Sequence, residues 1–131
     1  MVARMKQGLT VAPAAARIAE QGTPEDARRW AYQTAMELET IGFNVNFAPV
    51  LDIGIPYGRS YGHDAASVSK FTEAACRGYD QAGIIYSLKH FPPVWEKVRS
   101  IRIQNNIGLQ LLKRFLLQED TIPFKILSKK F

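Results

Sequence analysis

Three side chains in the first ninety residues could together bind a polar ligand: Arg59, Lys89 and His90. Lys89 and His90 are adjacent and directly follow the apolar stretch "IIYSL", whereas Arg59 lies in a glycine-rich segment. A guanidinium, an ammonium and an imidazole suit a polyhydroxylated or anionic ligand, because charged donors make stronger hydrogen bonds than neutral donors. The alternative is that Arg59 and Lys89 are ordinary solvated surface charges.

The segment that contains Arg59, "DIGIPYGRSYGHD", has the composition of an irregular loop. It carries three glycines, one proline and two tyrosines, a mixture that presents side chains rather than packing them. We expect Asp64, at its end, to cap the following helix and His63 to be exposed.

A helix with both ends marked precedes this loop, in "TPEDARRWAYQTAMELETIG". Thr23 is the expected cap, Pro24 suits the first helical position, Glu25 and Asp26 complement the helix dipole, and Gly42 ends the helix in a left-handed conformation. Three- and four-residue spacing predicts one buried face, made of Ala27, Ala31, Thr34, Leu38 and Ile41.

Two strands and a second helix complete the pattern. "FNVNFAPVLDI" is a predicted strand that Pro49 ends, and "IIYSL" is a short apolar strand. Between them a helix is predicted from Asp64 to Gly83, with a buried stripe of Val68, Phe71, Ala75, Tyr79 and Ala82. Helices alternating with strands favour parallel strands with crossover helices. Because ligands bind at the carboxyl ends of such strands, Arg59, Lys89 and His90 are expected to meet there.

The charge distribution divides the chain near Pro92. Residues 1 to 91 carry nine Lys and Arg against nine Asp and Glu, whereas residues 92 to 131 carry eight against three, so the later segment holds the whole net charge of +5. No apolar run approaches the roughly 20 residues of a membrane span, and no signal-peptide core is evident, so we expect a cytoplasmic location. The single cysteine, Cys76, excludes an internal disulfide or a cysteine-rich zinc site.

Three separated motifs occur in order: "GFNVNFAPVLDI", "GRSYGHDAASVSKFTEAACRGYDQAGI" and "SLKHFP". Over roughly residues 1 to 92 they resemble the N-terminal domain of glycoside hydrolase family 3, especially its β-N-acetylhexosaminidase branch. The resemblance implies an α/β fold, a partial (β/α)8 TIM-barrel fragment with parallel strands and crossover helices. It also implies that Arg59, Lys89 and His90 bind sugar hydroxyls, and that Asp52 mainly holds its loop by accepting backbone N–H bonds. Tyr61 replaces the family's usual Phe.

The resemblance further implies a retaining hydrolase of terminal β-linked sugars, with β-N-acetylglucosaminides favoured and β-glucosides as the alternative. Retaining cleavage needs a carboxylate nucleophile and an acid. The family's nucleophile lies far downstream, and after Pro93, which replaces a Gly, no Asp-x-His follows. We therefore assign no catalytic residue to this chain, and the resemblance implies no metal or cofactor. We expect it to be inactive alone and prone to self-association through uncovered barrel edges.

Residues 93 to 131 depart from the family pattern, and two explanations are open. One is a shift of reading frame near Pro92. The other is a selected basic tail that binds an anionic membrane or nucleic acid, although no nucleic-acid motif is present. In the second case one face of a helix would carry Ile103, Ile107, Leu111, Leu112 and Phe115.

Overall fold

The computed structural model describes residues 8 to 90, which form an α/β unit. In chain order its elements are α1 (Ala15–Gln21), α2 (Pro24–Thr40), β1 (Val45–Asn46), α3 (Ala65–Ala82) and β2 (Ile85–Tyr86). The predicted basic tail and the predicted boundary at residue 92 lie outside the described residues. None of the described helices is long and apolar enough to cross a membrane.

Helix α2 begins and ends where its local signals predict. Thr23 and Asp26 form a reciprocal capping box: the Asp26 carboxylate accepts from the Thr23 backbone N–H at 2.7 Å, and the Thr23 hydroxyl accepts from the Asp26 N–H at 3.3 Å. At the other end Gly42 has φ +89° and donates to the carbonyl of Glu39 at 2.9 Å. The left-handed conformation is the one that glycine adopts without steric cost.

The predicted buried face of α2 is wrong at Ile41. This residue follows the helix as its C-cap and is 45% exposed, because the helical repeat has already ended at Thr40. Ala35, which was not predicted, is instead fully buried beside Ala31. The core side of α2 is therefore made of alanines, whose small side chains let a neighbouring element approach closely.

That neighbouring element is α3, which is capped as predicted. The Asp64 carboxylate accepts from the Ser67 N–H at 2.9 Å, and Gly83, with φ +80°, ends the helix. Where α2 and α3 cross, a Cβ built on Gly78 would lie 2.2 Å from the carbonyl oxygen of Arg28 and 2.9 Å from the Cβ of Ala31. The crossing distance thus depends on the absence of a side chain at Gly78. One core cluster then joins both helices to the strands; it consists of Ala31, Ala35, Ala48, Ala75, Tyr79 and Ile84.

The strands pair in parallel but are shorter than predicted. Val45 pairs with Ile85 and Asn46 with Tyr86, and the pairing resumes at a single bridge between Val50 and Lys89. The first segment has one more residue than the second between these pairs, so it bulges there.

The prediction that Pro49 ends the first strand is wrong. Pro49 lacks an N–H, but its carbonyl still accepts from the N–H of Lys89 at 3.0 Å. The N–H of Leu51 then donates to the carbonyl of Lys89 at 2.5 Å. Backbone pairing therefore continues beyond the proline.

The two faces of this strand pair differ in burial. Asn46 and Ala48 are buried against the helices, whereas Val45, Phe47 and Ile85 are 40%, 69% and 63% exposed. This alternation follows from the two-residue repeat of extended chain. In a closed barrel the second face would point to the interior.

Replacing Asp26 by Asn is expected to lower the thermal midpoint at neutral pH but not in strong acid. Hydrogen bonds from Thr23, together with that from Arg29, lower the pKa of Asp26 from 3.8 to about 2. Because the folded-state pKa is depressed, the contribution is complete above pH 3.8 and is lost as the pH falls through about 2. Circular dichroism melts of both chains across this window provide the measurement. A difference in midpoint that does not change with pH would contradict the assignment.

Replacing Gly78 by Ala is expected to destabilise the fold by about 1–3 kcal/mol, the usual cost of overpacking a tight contact. The new methyl group would meet the backbone of α2, which cannot move aside as a flexible side chain can. Chemical denaturation monitored by circular dichroism measures the change. Lys70→Ala, at an exposed position of the same helix, is the control and should change stability by less than about 0.5 kcal/mol. Equal effects of the two substitutions would exclude the close crossing as the cause.

Candidate functional site

The hydroxyl of Ser60 organises the loop that carries Arg59. Ser60 is buried, and its Oγ lies 2.6 Å from the carbonyl oxygen of Asp52 and 2.7 Å from that of Gly62. The same oxygen accepts from the N–H groups of Gly54 and Gly62 at 3.2 and 3.3 Å. A direct bond from the Gly54 N–H to the Gly62 carbonyl, at 2.8 Å, closes the loop. Arg59, next to Ser60, is thereby held at a defined place.

Two further contacts attach this loop to the helices. The carbonyl of Gly58 accepts from the N–H of Ala16 in α1 at 3.0 Å. Gly58 has φ +68°, and a Cβ there would lie 3.2 Å from the Cβ of Ala14, so the approach favours glycine. On the other side of Arg59, the ring of Tyr61 stacks on Phe71 of α3 at a centroid distance of 5.8 Å. Burial raises the pKa of Tyr61 to about 12, so its phenol stays neutral.

Arg59 and Lys89 line one cavity of about 400 Å3. Pro49 and Val50, at the end of the first strand segment, form part of its wall, together with Trp30 of α2. The structure therefore brings together two of the three residues selected from the sequence. Both belong to segments that follow the carboxyl ends of the strands.

The Arg59 side chain has one buried hydrogen-bond donor that no described residue accepts. Its Nε atom is buried and has no hydrogen-bond partner within residues 8 to 90. A buried donor without an acceptor costs about 1–3 kcal/mol. A ligand oxygen that entered the cavity and accepted from this N–H would recover that free energy.

His90 occupies a different position from Arg59 and Lys89. It is not one of the residues that line the cavity, and its side chain is 49% exposed. Its Nδ1 lies 2.7 Å from Oδ2 of Asp52, whose side chain is only 1% exposed. The other carboxylate oxygen of Asp52 accepts from the His90 backbone N–H at the longer distance of 3.5 Å.

Sequence reasoning missed the direct contact between Asp52 and the His90 ring. The resemblance implied backbone contacts for Asp52, and its carboxylate does accept from the His90 N–H, at 3.5 Å. The available signal was that Asp52 follows one strand and His90 the next, so parallel pairing would bring them side by side. Sequence reasoning also missed the role of Ser60. His63 is exposed and Asp64 caps α3, both as predicted.

The family model for the glycosyl hydrolase family 3 N-terminal domain matches residues 1–99. Among curated relatives, a beta-hexosaminidase of Stenotrophomonas maltophilia (strain K279a) is 31% identical over 103 residues, which cover 76% of this chain and 30% of the relative. The matched residues thus include Asp52, Arg59, Ser60, Lys89 and His90.

Solved structures give the same result. A glycoside hydrolase family 3 beta-N-acetylglucosaminidase from Paenibacillus sp. str. FPU-7 is 38% identical with a TM-score of 0.64, covering 69% of this chain and 18% of that one. The beta-N-acetylglucosaminidase from Thermotoga maritima is 25% identical with a TM-score of 0.72, covering 95% and 26%. The chain therefore spans about a third or less of the length of these relatives.

These similarities confirm the predicted fold class. The structural neighbours are (β/α)8 barrel domains, and the described residues form an α/β part of such a barrel with parallel strands and crossover helices. Since the family model covers more than half of the sequence, the chain belongs to glycosyl hydrolase family 3, in the region of its N-terminal domain.

Proposed function

We propose that this chain supplies part of the sugar-binding face of a retaining glycosidase that cleaves terminal β-linked sugars. The favoured substrates are β-N-acetylglucosaminides, with β-glucosides as the alternative. The observation that carries the proposal is that Arg59 and Lys89 line one cavity while a buried Arg59 N–H lacks an acceptor among residues 8 to 90. Sugar hydroxyl oxygens accept hydrogen bonds, so they match two cationic donors.

The proposed role of these residues is to orient the sugar rather than to cleave it. An arginine and a lysine are donors without acceptor or nucleophilic function at neutral pH. Cleavage with retention requires a pair of groups, a carboxylate nucleophile and an acid that protonates the leaving oxygen. We assign neither member of that pair to this chain, so binding without turnover is the proposed behaviour of the chain by itself.

Sugar binding tests the proposal directly. The 131-residue chain should show amide chemical-shift changes on titration with N-acetylglucosamine, and Lys89→Ala should weaken the affinity about 10- to 100-fold, the equivalent of losing one charged hydrogen bond. Lys70→Ala is the matched control, because Lys70 is an exposed lysine on α3. Arg59→Lys should also weaken binding, since it keeps the charge but removes the Nε donor.

Three outcomes separate the possibilities. Equal effects of Lys70→Ala and Lys89→Ala would contradict the assigned cavity. Stronger binding of glucose than of N-acetylglucosamine would favour the β-glucoside alternative. Hydrolysis of a chromogenic β-N-acetylglucosaminide by the 131-residue chain would contradict the proposal that it binds without turnover.

Replacing Ser60 by Ala is expected to lower both stability and sugar affinity. The substitution removes the hydroxyl acceptor of the part-buried Gly62 N–H, whereas the Gly54 N–H keeps its bond to the Gly62 carbonyl. A buried donor left without its acceptor costs about 1–3 kcal/mol. Loosening of the loop should also displace Arg59. Thermal melts and the same sugar titration measure the two effects. Ser87→Ala, at an exposed position, is the control, and an affinity unchanged by Ser60→Ala would show that the loop bonds do not position Arg59.

A further inference from the structure

The contact between Asp52 and His90 joins a buried group to an exposed one. The carboxylate of Asp52 is 1% exposed, whereas the side chain of His90 is 49% exposed. The ring contact, from Nδ1 to Oδ2, is 2.7 Å long, and the backbone contact to the same carboxylate is 3.5 Å. The shorter contact is the stronger hydrogen bond. Of its two contacts with His90, Asp52 thus makes the closer one with the imidazole ring.

This geometry determines which ring nitrogen carries hydrogen. A carboxylate only accepts hydrogen bonds, so the hydrogen between the two groups belongs to Nδ1 of His90. The tautomer of a histidine is set by the hydrogen bond that one of its nitrogens makes. The second nitrogen, Nε2, lies on the opposite edge of the rigid ring. With Nδ1 bonded to the buried carboxylate, Nε2 is left on the ring edge away from Asp52, in a side chain that is 49% exposed.

The three candidate ligand-binding residues then differ in hydrogen-bonding capacity. Arg59 and Lys89 can only donate, whereas a neutral imidazole with hydrogen on Nδ1 accepts at Nε2. A sugar hydroxyl donates one hydrogen bond and accepts up to two. A site built from donors alone would leave the hydroxyl hydrogens of the sugar without an acceptor.

We propose that Asp52 is a positioning residue that fixes His90 with hydrogen on Nδ1, so that Nε2 accepts a hydrogen bond from a sugar hydroxyl. The sugar part of this inference rests on the proposed function. Asp52 itself does not touch the sugar; it acts through His90. The acceptor at Nε2 lies outside the cavity that Arg59 and Lys89 line, because His90 is not one of its lining residues.

Nitrogen NMR of the 131-residue chain tests the tautomer without any ligand. The sequence has two histidines, His63 and His90, so an exposed internal reference is present. At about pH 9, where ordinary imidazoles are neutral, two-bond proton–nitrogen correlations should show a protonated Nδ1 and an unprotonated Nε2 for His90. The Nε2–H tautomer of His90 in the wild-type chain would overturn the proposal.

Asp52→Asn keeps the shape of the side chain but adds a donor next to Nδ1. The variant should shift His90 towards the Nε2–H tautomer and leave His63 unchanged. Circular dichroism establishes that the variant is folded, and the wild-type spectrum decides the tautomer even if it is not. An unchanged His90 tautomer in folded Asp52→Asn would overturn the proposal.

Sugar affinity separates action through His90 from a general structural role. Asp52→Asn and His90→Gln should each weaken N-acetylglucosamine binding by about tenfold, and the double variant should be little weaker than either single variant. Additive losses would overturn action through His90. If the wild-type chain binds no sugar, the proposed function fails, and the acceptor role of Nε2 fails with it. The NMR result would still decide whether Asp52 fixes the ring.

Discussion

The pairing of two backbone segments around Pro49 is the constraint on which the candidate site depends. Lys89 donates to the Pro49 carbonyl, and Leu51 donates to the Lys89 carbonyl. These two bonds hold the segment before the Arg59 loop beside the segment that ends in His90. Neither bond requires an N–H at Pro49, so the proline can remain between the paired segments. The positions of Lys89 and Asp52 then follow from backbone geometry rather than from side-chain attraction.

Behind the strands, the helices supply the rigidity that such short pairing cannot. Two-residue strands offer few hydrogen bonds, and an isolated pair of strands is marginally stable at best. The contact between α2 and α3 is therefore important. Gly78 permits the backbone of α3 to approach that of α2, and the small side chains of Ala31 and Ala35 fill the space between helices and strands. Close packing of small residues leaves little freedom for the strand ends to move.

The features that the sequence predicts well are those with local causes. Thr23 and Asp64 cap helices with neighbours three residues away, and Gly42 and Gly83 end them through their own backbone angles. Ile41 shows the limit of periodicity, because the apolar repeat continues one residue beyond the helix. The two strands are shorter than the sequence predicts, for a related reason. Apolar composition marks buried or extended chain, but regular pairing also requires a partner in register, and the bulge before Val50 is a property of two segments together.

The site contacts that the sequence does not predict are long-range contacts of one residue, Asp52. The backbone carbonyl of Asp52 lies 2.6 Å from the Ser60 hydroxyl, which holds the Arg59 loop, while its carboxylate binds the ring of His90. Residues 52 and 90 are too far apart in the sequence for a spacing pattern to connect them. From local composition alone, a carboxylate that follows a strand can have any of several roles. A buried carboxylate is costly unless it is hydrogen-bonded. Because the carbonyl and the carboxylate belong to the same residue, the loop of Arg59 and the orientation of His90 are linked through a single buried residue.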